Sequence, residues 1–211
     1  MFSLFKKESL SIPYIDKVWK TEESAIKGML MMAMMRLQKG QSCFIISFFE
    51  SQLEKIASFM NANQLKFVKL DGAVGIEVTE PTLFLADAPS VSLTSLTDFL
   101  KRSIKLFSGE VFFPGHYPVT ATENKTLDIL STLGFNTFIF CLSFDDPLLK
   151  MFNSQSILPL LEKLGLEDEE AIEHNMVTQS IKRAREKVEK KMGKEILAKS
   201  PEEWFTLNVK K

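Results

Sequence analysis

Residues 42–64, SCFIISFFESQLEKIASFMNANQ, place a short apolar run directly before an amphipathic segment. The run SCFIISFF is typical of a strand that is buried on both faces, as strands of parallel sheets are. In the segment after it, Leu53, Ile56, Ala57 and Met60 recur with helical spacing. A buried strand followed at once by a helix predicts a parallel sheet with crossover helices.

The sequence on either side continues this alternation. Residues 21–40, TEESAIKGMLMMAMMRLQKG, predict a helix with Glu22 and Glu23 in its first turn, and apolar residues around most of its surface favour a buried position. The predicted strands downstream are LKFVKLDG (65–72), TLFLAD (82–87), EVFFPGHYP (110–118) and FNTFIFCLSF (135–144), and the predicted helices are SLTSLTDFLKRSIKLF (92–107) and TENKTLDILSTLG (122–134). We therefore expect an α/β fold whose core extends to about Phe144.

From Asp146 the patterns are helical. Asp146 and Pro147 provide an N-cap and a proline at the first helical position, which predicts a helical segment over residues 147–165. A long helix from about Asn175 carries basic residues at 182–194 and an apolar stripe that consists of Met176, Val177, Ile181, Ala184, Val188 and Met192. The expected organisation is an α/β domain at residues 1–145 and a helical extension at residues 146–211.

The tail, SPEEWFTLNVKK (200–211), predicts a short helix with Ser200 as its N-cap. Two interpretations stay open for its apolar residues. Trp204, Phe205 and Leu207 either fold back on the body of the protein or form an exposed docking motif.

Composition limits the classes of function. The chain has 211 residues, 45% hydrophobic and 25% charged, which are ordinary globular values. Its 26 Lys and Arg residues nearly balance 27 Asp and Glu residues, so there is no overall attraction to nucleic acid or to anionic lipid. No run of about 18 apolar residues and no signal-peptide core occur in the sequence. These features predict a cytoplasmic protein with no integral membrane segment.

Candidate reactive residues favour structural roles. Cys43 and Cys141 lie in apolar runs, where a free thiol behaves as a small buried hydrophobe. His116 and His174 have no Cys or second His partner at metal-ligand spacing such as i, i+4. The sequence therefore predicts neither a metal site nor a cofactor.

Two further clusters have a structural and a functional interpretation. The adjacent carboxylates Asp145 and Asp146 suggest acid–base chemistry or Mg²⁺ binding, but helix capping explains Asp146 and neighbouring side chains on a strand end point apart. The methionines of the first helix favour a core helix, although an adaptable surface for apolar peptides is the alternative; they are Met29, Met31, Met32, Met34 and Met35.

Segments at both ends resemble one family. LSFDDPLLKMF (142–152) and ILPLLEKLGLEDEEAIEHNMVTQSIKRAREKVEKK (157–191) are similar to the second RecA-like domain and the start of the helical scaffold in the SecA preprotein translocase motor. DKVWKTEESAIKGML (16–30) and RLQKGQSCFIIS (36–47) resemble the start of the same domain. The resemblance covers most of residues 15–192, and it implies a RecA-like fold of the P-loop NTPase type.

The departures from the family concern phosphate chemistry. No GxxxxGK[ST] phosphate loop occurs, and in the family this loop belongs to the first RecA-like domain. Where the family carries a Gly- and Arg-containing segment and an arginine-rich segment, this chain has ADAPSVSLTSLTDF (86–99) and ENKTLDILSTLGFNTFIF (123–140), neither with an arginine. Arginine fingers stabilise the transferred phosphoryl group. The resemblance therefore implies a degenerate RecA-like domain that is not an enzyme.

Three functions are compatible with these observations. The first is a SecA-related, non-catalytic protein-interaction or regulatory module linked to protein export. The second is a subunit that contributes to an ATP site in trans with a partner motor chain, and the third is a self-associating structural protein. We expect a protein partner, either the translocation motor or a second copy of the chain, and no nucleic acid, because aromatic residues do not interleave the basic stripe.

The long helix supplies most of the candidate partner-binding residues. Its apolar stripe needs cover, and its basic residues form either a solvated face or a docking face. The candidate residues are Met176, Ile181, Arg183, Arg185, Val188 and Trp204.

Overall fold

A six-stranded parallel sheet forms the centre of the computed structural model, which describes residues 12–70, 78–92, 94–151, 167 and 169–209. The strands are β1 (Tyr14–Trp19), β2 (Ser42–Ser47), β3 (Val68–Lys69), β4 (Leu83–Asp87), β5 (Phe107–Phe113) and β6 (Thr137–Ser143). Their order across the sheet is β1-β6-β5-β2-β4-β3, and all neighbouring pairs are parallel. The predicted α/β class with a parallel sheet is confirmed.

Helices cover both faces of this sheet. They are α1 (Glu22–Gln38), α2 (Glu50–Ala62), α3 (Thr94–Ser103), α4 (Thr120–Thr132), α5 (Pro147–Met151), α6 (Asn175–Lys191) and α7 (Pro201–Asn208), with 3-10 turns at Pro89–Ser92 and Ile104–Leu106. Alternate residues of β2 enter separate cores: Cys43 and Ile45 pack with α1 and α2, whereas Phe44 and Ile46 belong to the core that α3, α4, α6 and α7 complete. The all-buried pattern of β2 therefore reflects cover on both sides.

The sequence analysis did not identify the first strand. β1 lies at the edge of the sheet and pairs only with β6 among the described strands. Its sequence, YIDKVW, interrupts the apolar pattern with Asp16 and Lys17, which hides the strand. Of the strand predicted at residues 65–72, residues 71 and 72 lie outside the described residues, and Val68–Lys69 form the described strand that pairs with β4. Residues 152–165 of the predicted helical segment lie outside the described residues.

The first helix is buried on one side only. Ala25, Met29 and Ala33 lie in the core, whereas Met31 is 63% exposed and Met35 is 52% exposed. The expectation of a helix buried all round is therefore wrong for these two methionines, because α1 lies on one sheet face with solvent on its other side.

The helical extension packs on the sheet as part of its core. Ile181, Ala184 and Val188 of α6 belong to the same apolar cluster as Phe138 and Phe140 of β6. The expected caps are present, since Asp146 Oδ1 accepts a hydrogen bond from the Leu148 amide and Ser200 Oγ accepts one from Glu203. The helical extension and the sheet therefore share one apolar cluster.

The tail helix follows one of its two interpretations. Trp204 is fully buried and Phe205 is 7% exposed, so both fold back on the body as predicted. Leu207 is 45% exposed, so the expectation that it folds back together with Trp204 and Phe205 is wrong. An α-helix of this length buries only one side.

We expect Gly28→Ala to destabilise the protein. A Cβ at Gly28 would lie 2.4 Å from a ring atom of Trp19, whose indole nitrogen is anchored to the Glu169 carbonyl. Overpacking of this kind costs about 1–3 kcal/mol, which exceeds the gain of up to about 1 kcal/mol from removing a helical glycine. Urea unfolding measures the difference. Gly193→Ala is the control, because nothing lies within 4 Å of its added Cβ, and equal stability of the two variants would contradict the prediction.

Candidate functional site

A cavity opens at the carboxyl ends of the sheet strands, where open α/β sheets bind ligands. It has a volume of about 290 Å³ and lies between the ends of β5 and β6 and the first turns of α1, α2 and α7. Ala25, Ile26, Met29, Ile56 and Cys141 supply its apolar wall. We call it the edge cavity.

Carboxylates dominate the charged wall of the edge cavity. Glu22, Asp145, Asp146 and Glu202 line it, against Lys55 as the single lysine or arginine among the lining residues. Lys55 Nζ lies 2.6 Å from each carboxylate oxygen of Glu22, so its charge is already paired. Among the lining residues four carboxylates outnumber one lysine, although Lys150 Nζ also lies 3.3 Å from Asp145 Oδ1.

These carboxylates also occupy backbone donors at helix starts. Asp145 Oδ2 accepts a hydrogen bond from the Glu22 amide at 3.4 Å, and Asp146 Oδ1 accepts one from the Leu148 amide at 2.8 Å. Amides at helix starts are the groups that hold phosphates in nucleotide-binding α/β folds. Here the chain's own side chains accept from them, which confirms the capping interpretation of Asp146. Burial raises the pKa of Asp146 to about 6, although the hydrogen bond from the Leu148 amide acts to lower it.

Gln52 joins the strand ends beneath the edge cavity. Its side-chain amide donates to the Pro114 carbonyl at 3.1 Å, and its carbonyl oxygen accepts from Ser47 Oγ at 3.2 Å. Gly115 has φ of +148°, and a Cβ there would lie 3.3 Å from both Gln52 and Asp146. The glycine thus allows these side chains to converge.

A second polar centre lies inside the protein, on the opposite face of the sheet. His116 Nε2 lies 2.8 Å from Asp16 Oδ1, and His116 Nδ1 lies 2.9 Å from Glu123 Oε2. Arg185 Nη1 lies 2.8 Å from Glu123 Oε1. We call Asp16, His116, Glu123 and Arg185 the buried charge cluster, because the four side chains are at most 4% exposed.

Several polar atoms of the buried charge cluster have no hydrogen-bond partner among the described residues. They are Asp16 Oδ2, Glu123 Oε1, Arg185 Nε and Arg185 Nη2. The contact between Glu123 Oε1 and Arg185 is therefore an ion pair whose geometry is not that of a hydrogen bond. Buried unpaired groups are costly, so the charges must compensate one another.

Neighbouring charges set the protonation of this cluster. Burial opposes the charged imidazolium, but the Glu123 charge and hydrogen bonds to Asp16 and Glu123 outweigh it and raise the pKa of His116. Burial likewise opposes ionisation of Glu123, but His116, Arg185 and the Tyr117 amide lower its pKa. The two carboxylates thus favour the protonated form of His116.

The structure divides the predicted partner-binding residues into two groups. Met176 is 72% exposed and Arg183 is exposed, so both are available to a partner. The other four side chains are buried, at no more than 3% exposure: Ile181, Arg185, Val188 and Trp204. The chain's own core covers the stripe at Ile181, Ala184 and Val188, so these three positions need no external cover. Partner binding at these positions stays a prediction.

Other candidate residues have structural roles. His174 caps α6, since its Nδ1 accepts a hydrogen bond from the Met176 amide at 3.2 Å. Cys43 and Cys141 are buried free thiols, and burial raises the pKa of Cys43 to about 12. Within the described ranges, no group of three His, Cys, Asp or Glu side chains could hold a metal ion.

The buried charge cluster escaped the sequence analysis. His116 and Asp16 are 100 positions apart, and Glu123 follows His116 by seven positions, so no local spacing indicates the contact. A charged residue inside a strand of otherwise apolar character, Asp16, was the available signal.

The comparisons with known proteins identify similar sequences. No family model matches the chain. The chain is 24% identical over 184 residues to the protein translocase subunit SecA of Halothermothrix orenii. The alignment covers 82% of this chain and 22% of that protein. It is similar to part of SecA. The identity is 49% over 61 residues for SecA of Rubrobacter xylanophilus, covering 28% of this chain and 7% of the relative.

The similar SecA proteins are much longer than this chain. In SecA of Thermus thermophilus, the 48% identity over 50 residues covers 24% of this chain and 5% of the relative. Among solved structures, the C-terminal part of the Fun30 ATPase domain is similar with a TM-score of 0.44 and 15% identity, over 63% of this chain and 44% of that one. In the part of the chain that the structure describes, no helix is long and apolar enough to cross a membrane.

Proposed function

We propose that this chain is a degenerate, non-catalytic, SecA-related module that binds a protein partner in protein translocation. One observation carries the non-catalytic part. At the carboxyl edge of the sheet, Asp145 and Asp146 accept hydrogen bonds from amides at helix starts, and Glu22 holds Lys55. The groups that would attract a phosphate are engaged by the chain itself, and the remaining charge repels one.

The arginines support the same proposal. Arg36 makes a double hydrogen bond with Glu110, both at 2.6 Å, and Arg185 is enclosed in the buried charge cluster. Arg102 Nε donates to the Asp98 carbonyl on its own helix. An arginine finger requires a guanidinium free to reach a phosphoryl group. Arg183, the remaining arginine of the sequence, is exposed on α6 and does not line the edge cavity.

The similarity to SecA supports the link to translocation, because most of this chain aligns with a protein translocase subunit. The exposed side of α6 offers a surface for a partner. Met176 supplies an adaptable apolar side chain and Arg183 a charge that steers association. Substitutions on this side leave the core intact.

A capture experiment tests partner binding. The tagged chain is mixed with purified translocation motor, and bound motor is quantified for the wild type and for the variant Met176→Asp/Arg183→Glu. We expect binding that the double substitution lowers at least about tenfold, as the loss of about 1.4 kcal/mol does. Arg102→Glu is the control, because it makes the same charge change as Arg183→Glu at an exposed site on α3. No binding, or equal loss in the control, would contradict the proposal.

A turnover assay tests the non-catalytic part. We expect no ATP hydrolysis above background by the chain alone. We also expect no change in the motor's rate that depends on a residue of the edge cavity, such as Lys55. A stimulation of the motor that Lys55→Ala abolishes would instead indicate an ATP site completed in trans.

A further inference from the structure

The buried charge cluster connects the C-terminal extension to the sheet through one titratable ring. Arg185 comes from α6, Glu123 from α4 and Asp16 from β1, and His116 lies between them on the segment after β5. The ring is stacked on Phe140 of β6 with centroids 3.9 Å apart. Its position is therefore fixed by the sheet.

The number of protons on His116 determines the charge balance. Each ring nitrogen lies within 2.9 Å of a carboxylate oxygen, but a neutral imidazole can donate from only one nitrogen. The protonated ring donates to both carboxylates and, with Arg185, balances their charge. After deprotonation one carboxylate faces a lone pair, and two buried negative charges face one positive charge. Such an excess in a site without solvent is strongly unfavourable.

Release of α6 relieves this imbalance, because opening lets water reach the carboxylates. Besides Arg185, the apolar side chains Ile181, Ala184 and Val188 attach α6 to the core. Just before α6, the chain is attached to β1 by an isolated antiparallel β-bridge between Ile172 and Val18. Peripheral helices of this kind open in local transitions that leave the central strands folded.

We propose that His116 is a proton-operated latch: its protonated ring holds α6 against the sheet, and its deprotonation releases this helix. The latch rests on the proposed function for its biological use, because release would expose Ile181 and Val188 to a partner. The titratable and charged groups that face the ring are Tyr14, Asp16, Glu123, Asp146 and Arg185.

The direction of the pH dependence follows from His116. Its pKa is raised in the folded state, so the contribution to docking is fully present below the ordinary value of about 6.5 and is lost as pH rises through the raised pKa. Arg185 Nη1, 3.3 Å from Nδ1, opposes protonation and limits the shift. Glu123, with a lowered pKa, stays ionised throughout this range.

Amide hydrogen exchange of the chain alone tests the latch between pH 6 and 9. The protection of α6 amides is divided by that of β2 amides in the same sample, which removes the intrinsic pH dependence of exchange. We expect this ratio to fall as pH rises, by up to about tenfold for each unit by which the pKa is raised. Asp16→Asn should move the fall to lower pH, since it removes a carboxylate that favours the proton.

Matched variants separate His116 from other titrating groups. With His116→Gln, which cannot titrate, the ratio should be independent of pH. His174→Asn keeps a cap on α6 and removes the other histidine, and Asp146→Asn keeps the cap on α5 and removes a group with a pKa of about 6. In both variants the protection ratio should still fall as pH rises.

Three results would overturn the latch: a ratio independent of pH in the wild type, a fall that persists in His116→Gln, or a fall that is lost in His174→Asn. No partner is present in this experiment. A failed capture experiment therefore contradicts the proposed function without affecting the latch, and a constant ratio contradicts the latch while leaving partner binding intact.

Discussion

Arg185→Met lowers the free energy of unfolding by about 3–5 kcal/mol, because removing one member of a buried ion pair leaves its partner uncompensated. In this variant, Asp16 and Glu123 share only the charge of His116. Methionine retains much of the apolar stem, so most of the loss comes from charge and not from a cavity. Urea unfolding at neutral pH measures it.

Arg183→Met is the matched control on the same helix. Arg183 is exposed and Arg185 is 3% exposed, two positions away. The control should change stability by less than about 0.5 kcal/mol, as exposed substitutions usually do. The double variant Arg185→Met/Glu123→Gln should be more stable than the sum of its single variants, because removing both charges restores the balance. Similar losses for the Arg183 and Arg185 variants would contradict the account of the cluster.

Trp204→Ala also lowers the free energy of unfolding by about 3–5 kcal/mol, since truncation of a buried tryptophan leaves a large cavity. Trp204 is fully buried, its indole nitrogen donates to Glu195 at 3.0 Å, and its ring contacts Tyr117 and Phe205. We expect α7 and the sheet to unfold together in one cooperative transition, because α7 belongs to the same core as the sheet.

Leu207→Ala provides the comparison within the same helix. Leu207 is 45% exposed, so we expect a loss below about 1 kcal/mol. Thermal unfolding followed by far-ultraviolet circular dichroism should show one transition in both variants. A separate early transition for the Trp204 variant, with the sheet as stable as in the wild type, would show that α7 is an independent unit.

The sequence was sufficient to predict the central strands and several helix starts. Continuous apolar runs over β2, β4 and β6 indicate strands buried on both faces, and all three were found where predicted. Local chemistry also fixed the caps at Asp146 and Ser200. These features depend on neighbours in the chain.

Features that depend on distant contacts were not predicted. The stripe with Ile181 and Val188 indicates a face that needs cover, but the pattern does not distinguish the chain's own sheet from a partner. Asp16 meets His116 only because β1 crosses to the edge of the sheet beside β6. The pairing order of the strands, and hence the buried charge cluster, is a tertiary property.

We propose that the chain's own carboxylates close the edge cavity to phosphates. Methyl NMR of the methionines tests it most directly, because Met29 lines the cavity and Met176 is exposed on α6. Met29→Leu assigns the signal, and ATP with Mg²⁺ is added to millimolar concentration. We predict that the Met29 signal does not shift. A saturable shift of Met29, with Met176 unchanged and with turnover that Lys55→Ala removes, would contradict the account.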